Sequence, residues 1–541
     1  MLQRRPSAPD ASASSRDVRT LKTPGERSAR TTTTGQAHRL PSLQTLAAHI
    51  RGGGTSGRSR EDRPARAKRP PNTARFLALI VIAVAAYFVP RGISWNADTH
   101  IFLTSSIVDR GSLTIDPLAR FTGDVAFAHG HYYADKAPGL SFAAIPLYAL
   151  LKWTILGGHP YTSLFTVPVA QRTDFFVRYI LTVALAAVPT GVLVAMLYTF
   201  LARFGLGSKA RTAVALTYGL GTIARPFAGE LFSHQLSALL VFSAFALLYR
   251  VRHGEGNERL AAVAGLLIGY AVITEYPVAL IALALGLYAL TIPERGRRLA
   301  VWFASGAAPC LLLGAVYNTL TFGGPLSVGY GHLAGPLTFR IGQAQGIFGV
   351  TYPHLDALWQ TTFGPYRGLF LLCPVLLLAI PGFARLWSLR AWRAEVVTWL
   401  AIVLVYALFT ISYFEWDGGF SMGPRQFLPA LPFAMPAVAA VLLPGGRAIW
   451  RRLFAPLAVL SVVIVELATA TSPLFDPNYG SPLTQWVLPH LRDGALDNNW
   501  GQLFHLPGVL QFLPLLLALA FAAYRHWRRL SSGATLSAVA G

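Results

Sequence analysis

Charge is scarce in this chain. Asp, Glu, Lys and Arg make up 13% of its 541 residues while 53% are hydrophobic, against about 25% charged in ordinary soluble domains. That balance, with a mean hydropathy of +0.46, excludes a water-soluble globular domain and predicts a polytopic membrane protein. Cysteine is nearly missing. Cys310 and Cys373 lie inside apolar runs with no CxxC spacing, which excludes a disulfide framework and a thiolate metal centre. Acidic residues are outnumbered, 24 against 46 Lys and Arg. No aromatic-rich basic module accompanies the excess, so nucleic acid is not expected as a partner. An apolar stretch of signal-peptide type before the first long apolar run is also lacking, as is any clear internal repeat of the kind that marks secondary transporters.

Residues 1–73 carry 15 Lys and Arg against 5 Asp and Glu and are rich in Ser, Thr, Gly and Pro (TTTTGQ, RGGGTSGRSR, RAKRPPN). Without apolar periodicity this segment cannot bury enough surface to fold, and it is expected to be a disordered basic cytoplasmic tail. Membrane-length runs begin at Ala74–Val89 and recur near 177–202, 212–225, 233–249, 260–275, 277–292, 299–320, 367–384, 396–413, 427–443, 453–471 and 507–524. By the ~20-residue criterion they predict an all-α polytopic protein with about 12 transmembrane helices. Alternate connections (203–211, 250–259, 293–298, 385–393, 446–452) and the stretch 525–529 each hold three Lys or Arg. The positive-inside rule then puts these, both termini and a C-terminal tail at 531–541 in the cytoplasm, at the plasma or inner membrane. The multispanning unit covers 74–530, with a first extracytoplasmic loop at 92–176.

This orientation gathers the chemically capable residues on the extracytoplasmic face, where nucleotide sugars and ATP are absent and a preactivated, lipid-anchored donor is the natural substrate. The loop WNADTHIFLTSSIVDRGSLTIDPLARFTGDVAFAHGHYYADKAPG (95–139) is the densest. Its run 99–108 has Ile101, Ser105 and Val108 at helical spacing and reads as an interfacial amphipathic helix, with Asp98 at its N-cap. A second interfacial helix is expected over 140–153, with Lys152 free to snorkel. Asp135 and Lys136 stand directly before it, and a lysine beside a helix N-terminus suits a phosphate. Arg425, in GGFSMGPRQF, is a second phosphate candidate. Glu230 and His234, four apart, are placed on one helix face, and His131 and Tyr133 flank the Asp135–Lys136 pair. HGH with Asp124 and Asp135 is as much a solvated turn as a metal cluster, so no metal ligand is assigned. No cofactor is assigned with certainty, and a divalent metal is left open.

The order NADTH, a helix, GDVAF, GHYYADKAPG and a second apolar helix resembles the first extracytoplasmic loop of the GT-C superfamily, membrane glycosyltransferases that use lipid-phosphate sugars. Its bacterial members include relatives of protein O-mannosyltransferases and lipid A aminoarabinose transferases. LFSHQ (231–235), TEYP (274–277), YNTLTFGGPLSVGYG (317–331), FGPYRGLFLLCPVLLLAIPGF (363–383) and EWDGGFSMGPRQFLPALPF (415–433) extend the resemblance over about 74–433. It implies transfer of a sugar from a polyprenyl-phosphate donor to a glycan, lipid or protein acceptor. Asp98 would be the catalytic base, and Lys136, Arg425, Asp135, His131, Tyr133, Glu230 and His234 would bind substrate. Two departures stand out: Thr99 follows Asp98 where the family often has a second acid, and Ala137 separates Lys136 from its proline. Two other classes fit the spans: a lipid-linked sugar flippase or transporter, and a noncatalytic polysaccharide assembly protein.

Overall fold

The computed structural model describes residues 73–89, 94–166 and 174–538, all within one compact unit, Lys68–Gly541. The expected basic tail lies outside these residues. Along the chain run α1 (Thr73–Ala86), α2 (Trp95–Arg110), a hairpin of β1 (Val125–Ala128) and β2 (His131–Ala134), and α3 (Gly139–Thr154). Next come α4 (Asp174–Phe204), α5 (Ser208–Leu220), α6 (Ser233–Arg252), α7 (Glu258–Thr274), α8 (Tyr276–Leu290) and α9 (Gly296–Phe322). The remainder holds α10 (Leu337–Gln343), α11 (Leu355–Thr362), α12 (Pro374–Trp387), α13 (Arg390–Ser412), α14 (Leu431–Ala440), α15 (Ala448–Thr471) and α16 (Leu513–Ala538).

The protein is a helical membrane protein, but the span count falls short of twelve. Among the described residues six helices are long and apolar enough to cross a bilayer, namely α4, α6, α9, α13, α15 and the Gly508–Arg528 stretch that enters α16. Four more apolar helices, α1, α8, α12 and α14, have only 10–17 residues. Proline and polar residues explain the deficit. Pro277 and Pro374 open α8 and α12 as 3₁₀ turns, and Pro436 lies inside α14, where it removes a ladder donor. The expected spans at 212–225 and 260–275 became α5, which carries Lys209 and Arg211, and α7, which begins Glu258–Arg259. α16 continues to Ala538, into the stretch expected to be a C-terminal tail.

Helix contacts in the bundle rest on glycine. A Cβ at Gly265 or Gly306 would lie 1.9 Å from the carbonyl oxygen of Phe303 or Ala262, and one at Gly269 would lie 2.6 Å from that of Ala307. Thus α7 and α9 meet backbone to backbone, as small residues four apart allow in lipid, where packing rather than the hydrophobic effect drives helix association.

A second buried cluster forms around α2, α3 and the hairpin, with Phe102, Ile115, Leu140, Tyr148 and Tyr161 at its centre. It changes the reading of α2. The helix does not lie on an interface with one wet face, because every residue from Ala97 to Ser106 is buried. Thr104 Oγ1 donates to the carbonyls of His100 (2.8 Å) and Ser141 (3.0 Å) and Ser105 Oγ to that of Phe102 (3.1 Å), while Thr99 Oγ1 is buried without a partner. Gly111, at φ 63°, ends the helix, its N–H donating to the carbonyl of Ile107 (3.0 Å) and the Ser112 N–H to that of Ser106 (3.2 Å). Lys152 does not snorkel; its ammonium is 3.0 Å from Asp109, which also accepts from the Tyr148 hydroxyl (2.9 Å) and the Tyr161 amide (2.8 Å).

Candidate active site

The hairpin organises the site. His129 (φ 50°) and Gly130 (φ 81°) form its two-residue turn, the double positive-φ geometry that matches strand twist. The HGH run is therefore a turn, and no group of three or more metal-ligating side chains occurs among the described residues. His131 points away, hydrogen-bonded to Asp116 at 2.8 Å on the exposed surface. Tyr133 goes into the apolar cluster, its ring 5.6 Å from that of Phe322. On its free edge β1 receives the 323–336 loop: the Phe127 amide donates to the His332 carbonyl (2.8 Å) and the Ala334 amide to that of Val125 (2.9 Å). Gly329 follows the same edge so closely that a Cβ there would sit 2.5 Å from the Asp135 carbonyl. Tyr330 is thereby delivered onto Lys136.

Lys136 is the hub. Its ammonium is 2.7 Å from Asp135 and 3.1 Å from Asp124, and it faces the rings of Tyr330 (5.7 Å) and Phe339 (5.6 Å). Burial opposes its charge, yet Asp124 and Asp135 hold its pKa well above the ordinary lysine value. Burial also pushes Asp135 up to about 6, against the pull of Lys136. One oxygen of Asp135 is buried with no hydrogen-bond partner. The expected phosphate-binding lysine thus already holds two carboxylates.

Asp98, in the first turn of α2, is within electrostatic reach of Asp124 in this group. It is not the cap of α2: Ser94 occupies that position, and the Asp98 amide donates to the Ser94 carbonyl at 2.8 Å. Its carboxylate instead pairs with the Arg178 guanidinium in the first turns of α4. Arg178 also holds Asp174 at 3.3 Å. Burial raises the Asp98 carboxyl to about 6, with Arg178 opposing and Asp174 and Asp124 adding to the rise. Asp124 is thus within electrostatic reach of both Asp98 and Lys136. His100, two residues on, faces Ser141 (3.2 Å), and burial drops its pKa to about 3, keeping it neutral.

The third wall comes from the stretch between α13 and α14. Glu415 is raised to about 7 by burial, with Arg425 and Lys136 pulling it down. Arg425 is only loosely held, its nearest carboxylate contact being Glu415 at 3.9 Å, and it packs over the Phe232 ring at 5.3 Å. Arg367, fully buried, shapes the loop by donating to the carbonyls of Asp417 (3.1 Å) and Gly419 (2.8 Å). Gly419 must be glycine: its φ is 59°, and a Cβ would fall 2.9 Å from Glu415 Oε1. Between α11, α12, α13 and the start of α14 lies an apolar cavity of about 380 Å³, lined by Leu358, Leu376, Leu404, Ala407, Pro424 and Phe427 among others. Pro424 and Phe427 stand on either side of Arg425 in the sequence, but no charged side chain among the described residues lines the cavity.

Glu230 and His234 are not partners. α6 starts only at Ser233, leaving Glu230 in the preceding turn, where burial and nearby Asp497 push it up to about 8. His234 Nδ1 is 3.1 Å from Glu275 Oε2 and lies within electrostatic reach of His100. Of the sequence-derived candidates the structure therefore assembles Asp98, Asp135, Lys136 and Arg425, with His234 at the margin, and sets His131, Tyr133 and Glu230 apart. Arg178 and Asp174 were not anticipated. The one signal was a cation and an acid four apart at the head of an apolar run.

Fold and site together define an integral membrane protein with a buried acid–base cluster and an apolar cavity. No family model and no curated protein matches the chain. Among solved structures it is similar to the apo crystal structure of the Archaeoglobus fulgidus oligosaccharyltransferase, at 12% identity and a TM-score of 0.46, covering 74% of this chain and 56% of that one. The chain thus spans little more than half the length of that protein.

Proposed function

We propose that the protein is a membrane glycosyltransferase that moves a sugar from a polyprenyl-phosphate donor to an acceptor hydroxyl on the extracytoplasmic face. The observation that carries this reading is the buried network that links Asp98, Asp124, Asp135, Lys136, Glu415 and Arg425 by ion pairs and electrostatic reach. The apolar cavity suits a prenyl chain, and Arg425, whose carboxylate contact is Glu415 at 3.9 Å, suits the phosphate. Lys136 supplies a second positive charge where phosphate replaces one of its carboxylates.

In this reaction the acceptor oxygen attacks the anomeric carbon, the carbon–oxygen bond to phosphate breaks, and the bonding pair leaves on the phosphate. The acceptor proton passes to Asp98. With the carboxyl at about 6, Asp98 is mostly ionised at neutral pH and still basic enough to take a proton, the compromise that general-base catalysis favours. A single carboxylate suffices for direct displacement with inversion, since no covalent glycosyl intermediate is needed. Arg425 and Lys136 stabilise charge developing on the leaving phosphate. His234 and Glu275 border the acceptor side. Glu230, His131 and Tyr133 keep a substrate role only for an extended acceptor that reaches beyond the cluster. The test is mass spectrometry of envelope glycans and glycoproteins from cells with and without the protein. Loss of one defined sugar supports transfer, and an unchanged profile counts against it.

A further inference from the structure

We propose that α11 and the turn before it form a membrane-interface anchor that inserts into the leaflet bordering the candidate site, a reading independent of sugar transfer. Around the axis of α11 three sectors follow one another. Ala357 and Thr361 are buried against the protein. Leu355 (82% exposed), Leu358 (40%) and Trp359 (56%) form an uncovered apolar sector. Asp356 and Gln360 occupy the remaining one. At 3.6 residues per turn these lie in the order protein, apolar, polar, the arrangement of a helix resting at the boundary of acyl chains and headgroups.

The height of the helix is fixed by backbone hydrogen bonds. The amides of Thr351 and His354 donate to the carbonyls of Ser412 (2.8 Å) and Ile411 (3.0 Å). Those carbonyls end α13, which is long and apolar enough to span a bilayer, so α11 starts level with the end of a spanning helix. The preceding turn, held by Gly346, Phe348 and Gly349 at positive φ, projects Ile347 at 77% exposure, and Tyr352 beyond it stands at 70%. The apolar sector is also continuous with the lipid-facing side of α13, because Leu358 lines the same cavity as Leu404, itself 57% exposed. Water on this face would leave a large contiguous apolar patch uncovered, whereas the acyl chains that cover Leu404 cover Leu355 and Trp359 by extension. Anchoring α11 would hold the cavity mouth at the lipid boundary.

Spin labels on the full-length protein in liposomes decide this. Both native cysteines are buried and are first replaced by alanine; Leu355→Cys, Trp359→Cys and Asp356→Cys are then labelled one at a time. Collision rates are measured with oxygen, which concentrates in lipid, and with a nickel chelate present on both sides of the membrane. The expected oxygen-to-nickel ratio is severalfold higher at 355 and 359 than at 356. Nickel access at 355 and 359 equal to that at 356 would overturn the proposal. So would shielding of 355 and 359 from both reagents, which would mean that protein covers the face. Two labelled positions in the apolar sector keep the test decisive if one variant fails to fold.

Discussion

Replacing Arg178 with methionine should raise the pKa of Asp98 and leave the rest of the site in place. Methionine keeps much of the side-chain volume and removes the guanidinium that pairs with Asp98. Both side chains are well shielded, at 10% and 3% exposure, so solvent screening takes little from the interaction. A hydrogen bond to a charged group contributes about 1.5–3 kcal/mol, and 1.36 kcal/mol corresponds to one pKa unit, so the rise is about one to two units. The sign follows from the partners: Arg178 favours the ionised carboxylate, so its loss extends the protonated form to higher pH, from a midpoint of about 6 to ~7–8. Infrared titration of the purified protein reads this directly, as the protonated carboxyl band that Asp98→Asn abolishes. Arg178→Lys, which keeps a charge, should shift the midpoint less. An unchanged midpoint in Arg178→Met would refute the pairing as the control on Asp98, and so its assignment as a tuned base.

Three further outcomes are expected. Lys136→Ala leaves Asp124 and Asp135 facing each other without a cation and should cost about 3 kcal/mol or more, as broken buried pairs do; a thermal melt equal to wild type would show that the cluster is not held by this lysine. Arg425→Ala should weaken binding of a polyprenyl phosphate in a direct binding assay while leaving the melt near wild type, and Arg425→Lys should restore binding only in part if the guanidinium fork is used; full affinity in the alanine variant would remove Arg425 from the phosphate site. Gly265→Ala puts a Cβ against the Phe303 carbonyl and should destabilise by about 1–3 kcal/mol, the range for overpacking, seen as a lower melting temperature, whereas an unchanged one would mean that α7 and α9 separate freely.

What could be read from the sequence followed chemical scarcity. In a chain so poor in charge, each charged residue outside the apolar runs stands out, and Asp98, Asp135, Lys136 and Arg425 were visible for that reason. Arg178 was hidden because a single cation at the edge of an apolar run reads as an ordinary membrane-boundary residue, and only the fold shows it turned inward to Asp98. His131 and Tyr133, near Lys136 in sequence, lie apart from it in the fold. A two-residue hairpin turn sends His131 to the surface and Tyr133 into the apolar cluster. Glu230 and His234 satisfied helical spacing, but the helix begins between them. The span count failed where hydropathy averages over proline and the backbone does not: α8, α12 and α14 are broken or shortened at prolines inside runs that look continuous.

The central claim is that Asp98 takes a proton during transfer of a lipid-borne sugar. Cells lacking the protein, supplied with either the wild-type chain or Asp98→Asn at matched membrane levels, put it to the most direct test through mass spectrometry of their envelope glycans. Asparagine preserves size and removes the proton-accepting charge, so transfer should fall ~10²-fold or more. The wild-type chain should restore the missing sugar and the variant should not. Restoration by Asp98→Asn to the wild-type extent would contradict the account.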